Sequence, residues 1–253
     1  MTWATPERRA RFAWELFLVS GLGLFAVLAF NRWLASEIRL LAIVPNLTLM
    51  ASLLGLGLFL ATSGVLVRVT FRRRESGCDW HVFFLGAAFW LVGVKSLAGL
   101  SLLFGSTWMV ESAAVTGILL TILAANGVVA HFPGTGPAWS YGCLAASLLV
   151  SYAVGAGFSG WPWLWRTVVG ALAAWLPLFF AGLVFANSFR RTRDASGALA
   201  ANMFGVLAGA VLEYVSLAFG FGSLALLALV LYGLSWLTLA FRGWRLSLAA
   251  GEA

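Results

Sequence analysis

Residues 201–220 read ANMFGVLAGAVLEYVSLAFG, an almost wholly apolar stretch that carries one carboxylate, Glu213. A helix of about twenty such residues crosses the roughly 30 Å hydrocarbon core of a bilayer. The whole chain has this character, because 62% of its 253 residues are hydrophobic and only 10% are charged. Soluble domains contain about 25% charged residues. The sequence therefore predicts an all-α polytopic membrane protein.

Eight apolar stretches are long enough to be transmembrane helices, and together they form one predicted bundle over residues 1–253. The stretches lie near residues 14–33, 41–67, 82–104, 108–130, 139–157, 164–189, 198–220 and 223–241. They leave little chain outside the bilayer, so we expect no soluble domain.

The arginines predict the orientation, since short cytoplasmic loops are enriched in basic residues. With eight crossings, twelve arginines fall on one side of the bilayer and Arg32, Arg39 and Arg166 on the other. The twelve are Arg8, Arg9, Arg11, Arg68, Arg72, Arg73, Arg74, Arg190, Arg191, Arg193, Arg242 and Arg245. We therefore predict a bacterial-type inner (cytoplasmic) membrane protein with both termini in the cytoplasm. The net charge of +7 does not indicate nucleic-acid binding, because these arginines lie in short loops between apolar runs.

The seventh predicted span carries Asn202, Gly205, Gly209 and Glu213 at spacings of three to four residues. That spacing places them on one face of a helix. Gly205 and Gly209 form a GxxxG motif, which lets another helix approach closely. We expect this face to point into the bundle.

Lys95 lies in the third predicted span, at a depth that matches that of Glu213. We predict that the two residues form an ion pair or share a small polar cavity, and that Asn202 lines the same place if it is a solute site. An isolated charge at this depth costs several kcal/mol, and a partner removes most of that cost. The pair is either a structural clasp that fixes helix register or a solute site, and the sequence leaves both alternatives open.

His81 and His131 are the only histidines, and both fall near the predicted cytoplasmic interface. They could ligate a haem or chlorin, but two interfacial histidines are more often solvated. We therefore expect bound lipid and no other cofactor. Cys78 and Cys143 are isolated, which indicates neither a disulfide framework nor a metal site, and we identify no catalytic motif.

Three stretches resemble the membrane region of spermidine-synthase-like integral membrane proteins. They are VPNLTLMASLLGLGL at 44–58, PLFFAGLVFANSF at 177–189, and residues 197–234, in which Asn202, Gly209 and Glu213 match the family pattern. Full-length members of that family also carry a soluble aminopropyltransferase-like domain. The resemblance here implies the membrane half alone, so we do not expect an enzyme.

Two functions follow from these features. The first is a non-catalytic membrane subunit or scaffold that packs against other membrane proteins or docks a partner on a cytoplasmic basic face. That face comprises Arg72, Arg73, Arg74, Arg190, Arg191 and Arg193, and it also suits acidic lipid. The alternative is a small transporter or channel for a polar or cationic solute that uses Lys95 and Glu213.

Overall fold

The computed structural model describes residues 79–105, 107–132, 137–157, 162–192 and 194–251, together with isolated helical positions between residues 14 and 62. The chain divides into two compact units, Met1–Gly55 and Leu56–Ala253. In the first unit, the Trp14 and Phe17 rings stack with their centroids 5.6 Å apart. Only isolated positions of predicted spans 14–33 and 41–67 are described, so the extent of these two spans stays a prediction.

The second unit, over the ranges described from residue 79 onward, consists of helices. They are α1 (Trp80–Phe104), α2 (Trp108–His131), α3 (Pro137–Gly157), α4 (Trp163–Arg190), α5 (Ala195–Leu212), α6 (Ser216–Phe219) and α7 (Gly222–Gly251). A 3-10 turn, Glu213–Val215, joins α5 to α6.

The all-α prediction is confirmed over the described residues, and five spans are long and apolar enough to cross a membrane. They are Trp80–Phe104, Met109–His131, Thr167–Arg190, Ala195–Phe219 and Gly222–Phe241. The apolar part of α3, Ala138–Val154, is shorter. The total of eight crossings and the orientation of the termini stay predictions.

Side-chain contacts define two ends of this helical unit. At the first, which we call the Arg190 end, Arg190 Nη1 donates a hydrogen bond to the Val129 carbonyl oxygen, 3.3 Å away, so α4 and α2 end together. At the second, the Gly220 end, Gly220 adopts a φ of +77° and turns the chain from α6 into α7. Such a φ favours glycine, which has no Cβ.

Helix α1 is central to the packing, because it contacts α2, α4, α5 and α7. The largest apolar cluster joins leucines of α1, α3, α4 and α7 that are almost completely buried. These are Leu85, Leu91, Leu144, Leu148, Leu178 and Leu224.

Glycines bring the backbones of α1 and α5 into direct contact. A Cβ atom on Gly205 would overlap the carbonyl oxygen of Phe83, and one on Gly209 would lie 2.6 Å from the Ala87 carbonyl oxygen. From the other side, a Cβ on Gly86 would overlap the carbonyl oxygen of Asn202. Small residues allow this close approach between membrane helices, where van der Waals packing drives association.

Pro177 lies inside α4 and is buried. Proline cannot donate a backbone hydrogen bond, so it interrupts the helical ladder in the preceding turn. The carbonyl group that loses its helical donor is that of Ala173, four residues before Pro177. Ser96 of α1 donates a hydrogen bond to the carbonyl oxygen of the next residue, Ala174, at 2.7 Å, and so links α1 to α4 beside the proline.

Candidate functional site

Lys95 hydrogen-bonds one residue of α3, Ser151. Its ammonium group donates hydrogen bonds to the Ser151 carbonyl oxygen, at 3.2 Å, and to the Ser151 hydroxyl oxygen. Ser151 is buried, whereas Lys95 is half-buried. Lys95 lies nine residues before the end of α1, which is about 14 Å from the Gly220 end.

A cavity of about 580 Å³ extends between Lys95 and the turn that follows Gly220. We call it the Lys95 cavity. Its lining combines one cation, a few hydroxyl groups and several apolar side chains. The lining residues are Lys95, Gly99, Leu102, Ser151, Tyr152, Phe219, Phe221, Gly222, Ser223 and Leu226. Binding sites for small molecules are commonly apolar cavities with a small number of placed polar groups.

Glu213 lies elsewhere, at the point where α5 tightens into the 3-10 turn. Its side chain is 7% exposed. The indole Nε1 of Trp90 donates a hydrogen bond to Glu213 Oε2 at 2.7 Å. Glu213 therefore joins α5 to α1, and it does not line the Lys95 cavity.

Lys95 and Glu213 therefore do not bond to each other as predicted. Lys95 donates to Ser151, and Glu213 accepts a hydrogen bond from Trp90. The physical reason is helical rotation. Lys95 follows Trp90 by five residues, so the two side chains leave α1 about 140° apart. The two residues were paired because they lie at similar depths in their spans. Depth does not specify which side of its helix each residue occupies.

Asn202 occupies a third place, against the start of α1. It is 8% exposed, and its Oδ1 atom lies 2.8 Å from where a Cβ on Gly86 would be. It is eleven residues, or about 17 Å, from Glu213 along the same helix. Lys95, Glu213 and Asn202 therefore lie in three separate environments, whereas Gly205 and Gly209 lie together against α1.

His81 is buried in a polar cluster at the Arg190 end, rather than at a solvated interface. Its Nδ1 atom lies 2.8 Å from Ser235 Oγ and 3.0 Å from the Ser235 carbonyl oxygen. Its Nε2 atom lies 2.9 Å from Ser188 Oγ. The Tyr141 hydroxyl lies 3.0 Å from Ser235 Oγ. Both ring nitrogens therefore contact protein groups, and the cluster ties together α1, α3, α4 and α7.

His131 has a different environment from His81. It is exposed at the last residue of α2, and its Nδ1 atom hydrogen-bonds the Gly127 carbonyl oxygen of its own helix at 2.9 Å. The two imidazoles have separate protein partners. Among the described residues, no group of three or more His, Cys, Asp or Glu side chains could hold a metal ion.

The basic face is described only in part. Arg190 lines a second, mostly apolar cleft, and Arg191 is exposed at the C-terminal cap of α4. The remaining predicted members, Arg72, Arg73, Arg74 and Arg193, lie outside the described residues.

The sequence reasoning missed the serines of α3, although they carried a readable signal. Ser140, Ser147 and Ser151 are spaced by seven and four residues, which places them on one helical face. All three are buried. A row of serines on one face of an apolar helix indicates a buried polar contact, and it could have identified α3 as the helix that carries the partner of Lys95.

No protein-family model matches this sequence, and searches of curated proteins and of solved structures found no similar chain. The resemblance to spermidine-synthase-like membrane proteins therefore stays a prediction.

Proposed function

We propose that this chain is a non-catalytic integral membrane protein that binds, and allows passage of, a small polar solute at the Lys95 cavity. The observation that supports this proposal is the position of Lys95, a cation about 14 Å deep on the wall of a cavity near the Gly220 turn. Ionisable residues within membrane spans commonly line cavities and mark solute pathways.

The cavity lining favours a solute with acceptor oxygen atoms, such as a carboxylate, over a cationic solute. An ammonium group has three donors and no acceptor. Ser151 accepts from Lys95 through two oxygen atoms, and over the described ranges no other residue accepts from Lys95 Nζ. The carboxylate that would attract a cation, Glu213, is bonded to Trp90 outside the cavity. We therefore propose an anionic or zwitterionic solute.

The seventh predicted span offers an element that can move beside this cavity. It changes from α-helix to a 3-10 turn at Glu213–Val215 and ends four residues later at Phe219, a cavity residue. A 3-10 stretch within a helix often marks a hinge, and broken helices form the binding sites of many transporters. We propose that this segment alters access to Lys95.

The proposal extends to topology. We retain a bacterial-type inner membrane and cytoplasmic termini, because twelve of fifteen arginines fall on one side when eight crossings are counted. In that orientation the Arg190 end is cytoplasmic, and the Lys95 cavity opens toward the opposite side of the membrane.

The test is solute binding and flux in liposomes, with a panel of small carboxylates, amino acids and polyamines. We expect Lys95→Met and Ser151→Ala to reduce flux of the preferred solute by at least ~10-fold. Ser147→Ala is the matched control, because Ser147 is also buried on α3 but donates only to the Leu144 carbonyl oxygen of its own helix. Equal flux in wild type and Lys95→Met would refute the proposal, as would a preference for polyamines.

A membrane subunit or scaffold is the second candidate function, and the exposed apolar face of α2 is the surface on which we propose that a partner helix packs in place of lipid. One side of α2 packs on α4, where Ala125 contacts Gly182. The other side exposes Leu119, Leu120 and Leu123 at 51%, 60% and 66%. Another membrane helix could cover these leucines. Co-purification in a mild detergent tests this role, since a stable complex should dissociate on Leu120→Asn substitution, and a wild-type chain that remains monomeric would contradict it.

A further inference from the structure

A second cleft, of about 570 Å³, lies at the Arg190 end between α1, α2, α4 and α5. We call it the Arg190 cleft. Its lining is mostly apolar and includes Phe89, Ile122 and Phe185. Three polar side chains, those of Arg190, Asn126 and Asn202, also line it.

The polar side chains of the Arg190 cleft are arranged in order of depth. Arg190 is the last residue of α4, at the mouth, where its guanidinium group also donates to the Val129 carbonyl oxygen. Asn126 lies five residues before the end of α2, which is about 8 Å below that end. Its side chain is exposed, and within the described ranges no residue hydrogen-bonds its amide. Ile122 lies one turn deeper, on the apolar wall.

An exposed amide within a membrane-spanning helix needs a polar partner, because hydrocarbon offers none. Arg190 adds a cation that binds phosphate oxygens well through its planar guanidinium group. An apolar wall continues inward from both residues. A ligand that matches this order has an anionic head, a layer of carbonyl groups below it, and a hydrocarbon chain.

We propose that the Arg190 cleft binds one anionic phospholipid of the surrounding bilayer. The lipid phosphate contacts Arg190, an ester carbonyl group accepts a hydrogen bond from the Asn126 amide, and one acyl chain lies along Phe89, Ile122 and Phe185. A free fatty acid fits less well, because its carboxylate is its only polar layer and Asn126 would then contact methylene groups.

This inference does not rest on the proposed solute function. The Arg190 cleft and the Lys95 cavity share no lining residue and lie at opposite ends of the unit. The substitutions that test one leave the other intact, so either idea can fail without the other.

The experiment is native mass spectrometry of the delipidated full-length protein, titrated with phosphatidylglycerol, phosphatidylcholine or palmitate. We expect one phosphatidylglycerol to remain bound at activation energies that remove phosphatidylcholine. Arg190→Gln and Asn126→Leu should each lower its occupancy at least ~5-fold, while Arg190→Lys should retain about half of it. Arg191→Gln is the matched control, because it removes a neighbouring exposed arginine that does not line the cleft.

A cleft-filling variant, Ala130→Trp, keeps Arg190 and should still lose the bound lipid, since Ala130 lines the cleft and is exposed. Thermal unfolding in detergent identifies any variant that does not fold. Equal losses in Arg190→Gln and Arg191→Gln would overturn the proposal in favour of general surface charge. Retention of phosphatidylglycerol in Ala130→Trp, or equally tight binding of palmitate, would overturn it as well.

Discussion

The His81 cluster, at the Arg190 end, and Lys95, toward the Gly220 end, are two polar sites with opposite surroundings. At the Arg190 end, both ring nitrogens of His81 contact serine groups, and glycines bring α1 against α5. At the Gly220 end, Lys95 shares its surroundings with a cavity of about 580 Å³. A polar group enclosed by protein partners specifies how helices pack, whereas a polar group beside open volume can bind something else.

The largest expected effect is at the backbone contact between α1 and α5. Gly205→Ala should destabilise the protein by about 3 kcal/mol, the upper part of the range for overpacked interiors, because its Cβ meets the backbone of Phe83 and not a side chain that can move. Thermal unfolding in a mild detergent measures this change. Gly93→Ala on α1 is the control, since a Cβ there meets nothing within 4 Å. Equal unfolding temperatures for the two variants would show that α1 and α5 are not in backbone contact.

The next effect concerns the two histidines. His81→Ala removes the hydrogen bonds to Ser188 and Ser235 and leaves a void, so we expect a loss of about 2 kcal/mol. His131→Ala should change stability by less than ~0.5 kcal/mol, because an exposed surface substitution rarely does more. The same unfolding assay compares them. A larger loss of stability in His131→Ala than in His81→Ala would contradict a stabilising role for the cluster of His81, Ser188 and Ser235.

A smaller effect distinguishes the observed partner of Glu213 from the predicted one. The double-mutant cycle of Trp90→Phe and Glu213→Leu should show a coupling of about 1 kcal/mol, within the range for polar contacts between membrane helices. The cycle of Lys95→Met and Glu213→Leu should be additive within about 0.5 kcal/mol, because the two side chains bond to different residues. Strong coupling in the second cycle would instead support the predicted ion pair between Lys95 and Glu213.

The smallest effect on stability is expected at Lys95. Lys95→Met should change the free energy of unfolding by less than about 1 kcal/mol, since methionine fills similar volume and the Lys95 cavity already borders the site. The Ser151 hydroxyl can bond within its own helix, as Ser147 does. A large loss of stability would indicate that Lys95 is a structural residue and not a solute ligand.

The all-helical class could be predicted from the sequence, because long apolar stretches have few alternatives in a bilayer. Predicted span 82–104 corresponds to α1, and the GxxxG glycines Gly205 and Gly209 lie at a close helix contact. Helix α7 continues to Gly251, ten residues beyond the predicted end of its span at 241, since an apolar count locates the end of the hydrocarbon and not the end of the helix.

The site was harder to predict because it depends on which helices are neighbours. The depths of Lys95 and Glu213 follow from their positions within the predicted spans. Their partners, Ser151 and Trp90, depend on how the helices are rotated and on which helices are neighbours. His81 was expected at a solvated interface, yet α4 and α7 extend far enough to enclose it with Ser188 and Ser235. Neither helix carries a local signal that specifies this contact.

The most direct test of the difference between the two ends is accessibility to a small water-soluble thiol reagent. In a background with Cys78→Ser and Cys143→Ser, cysteines replace Lys95 or Ser235, which is 0% exposed. We predict that Lys95→Cys reacts at least ~10-fold faster than Ser235→Cys in reconstituted protein. Equal rates, or faster reaction at position 235, would contradict an open cavity at the Gly220 end and a closed cluster at the Arg190 end.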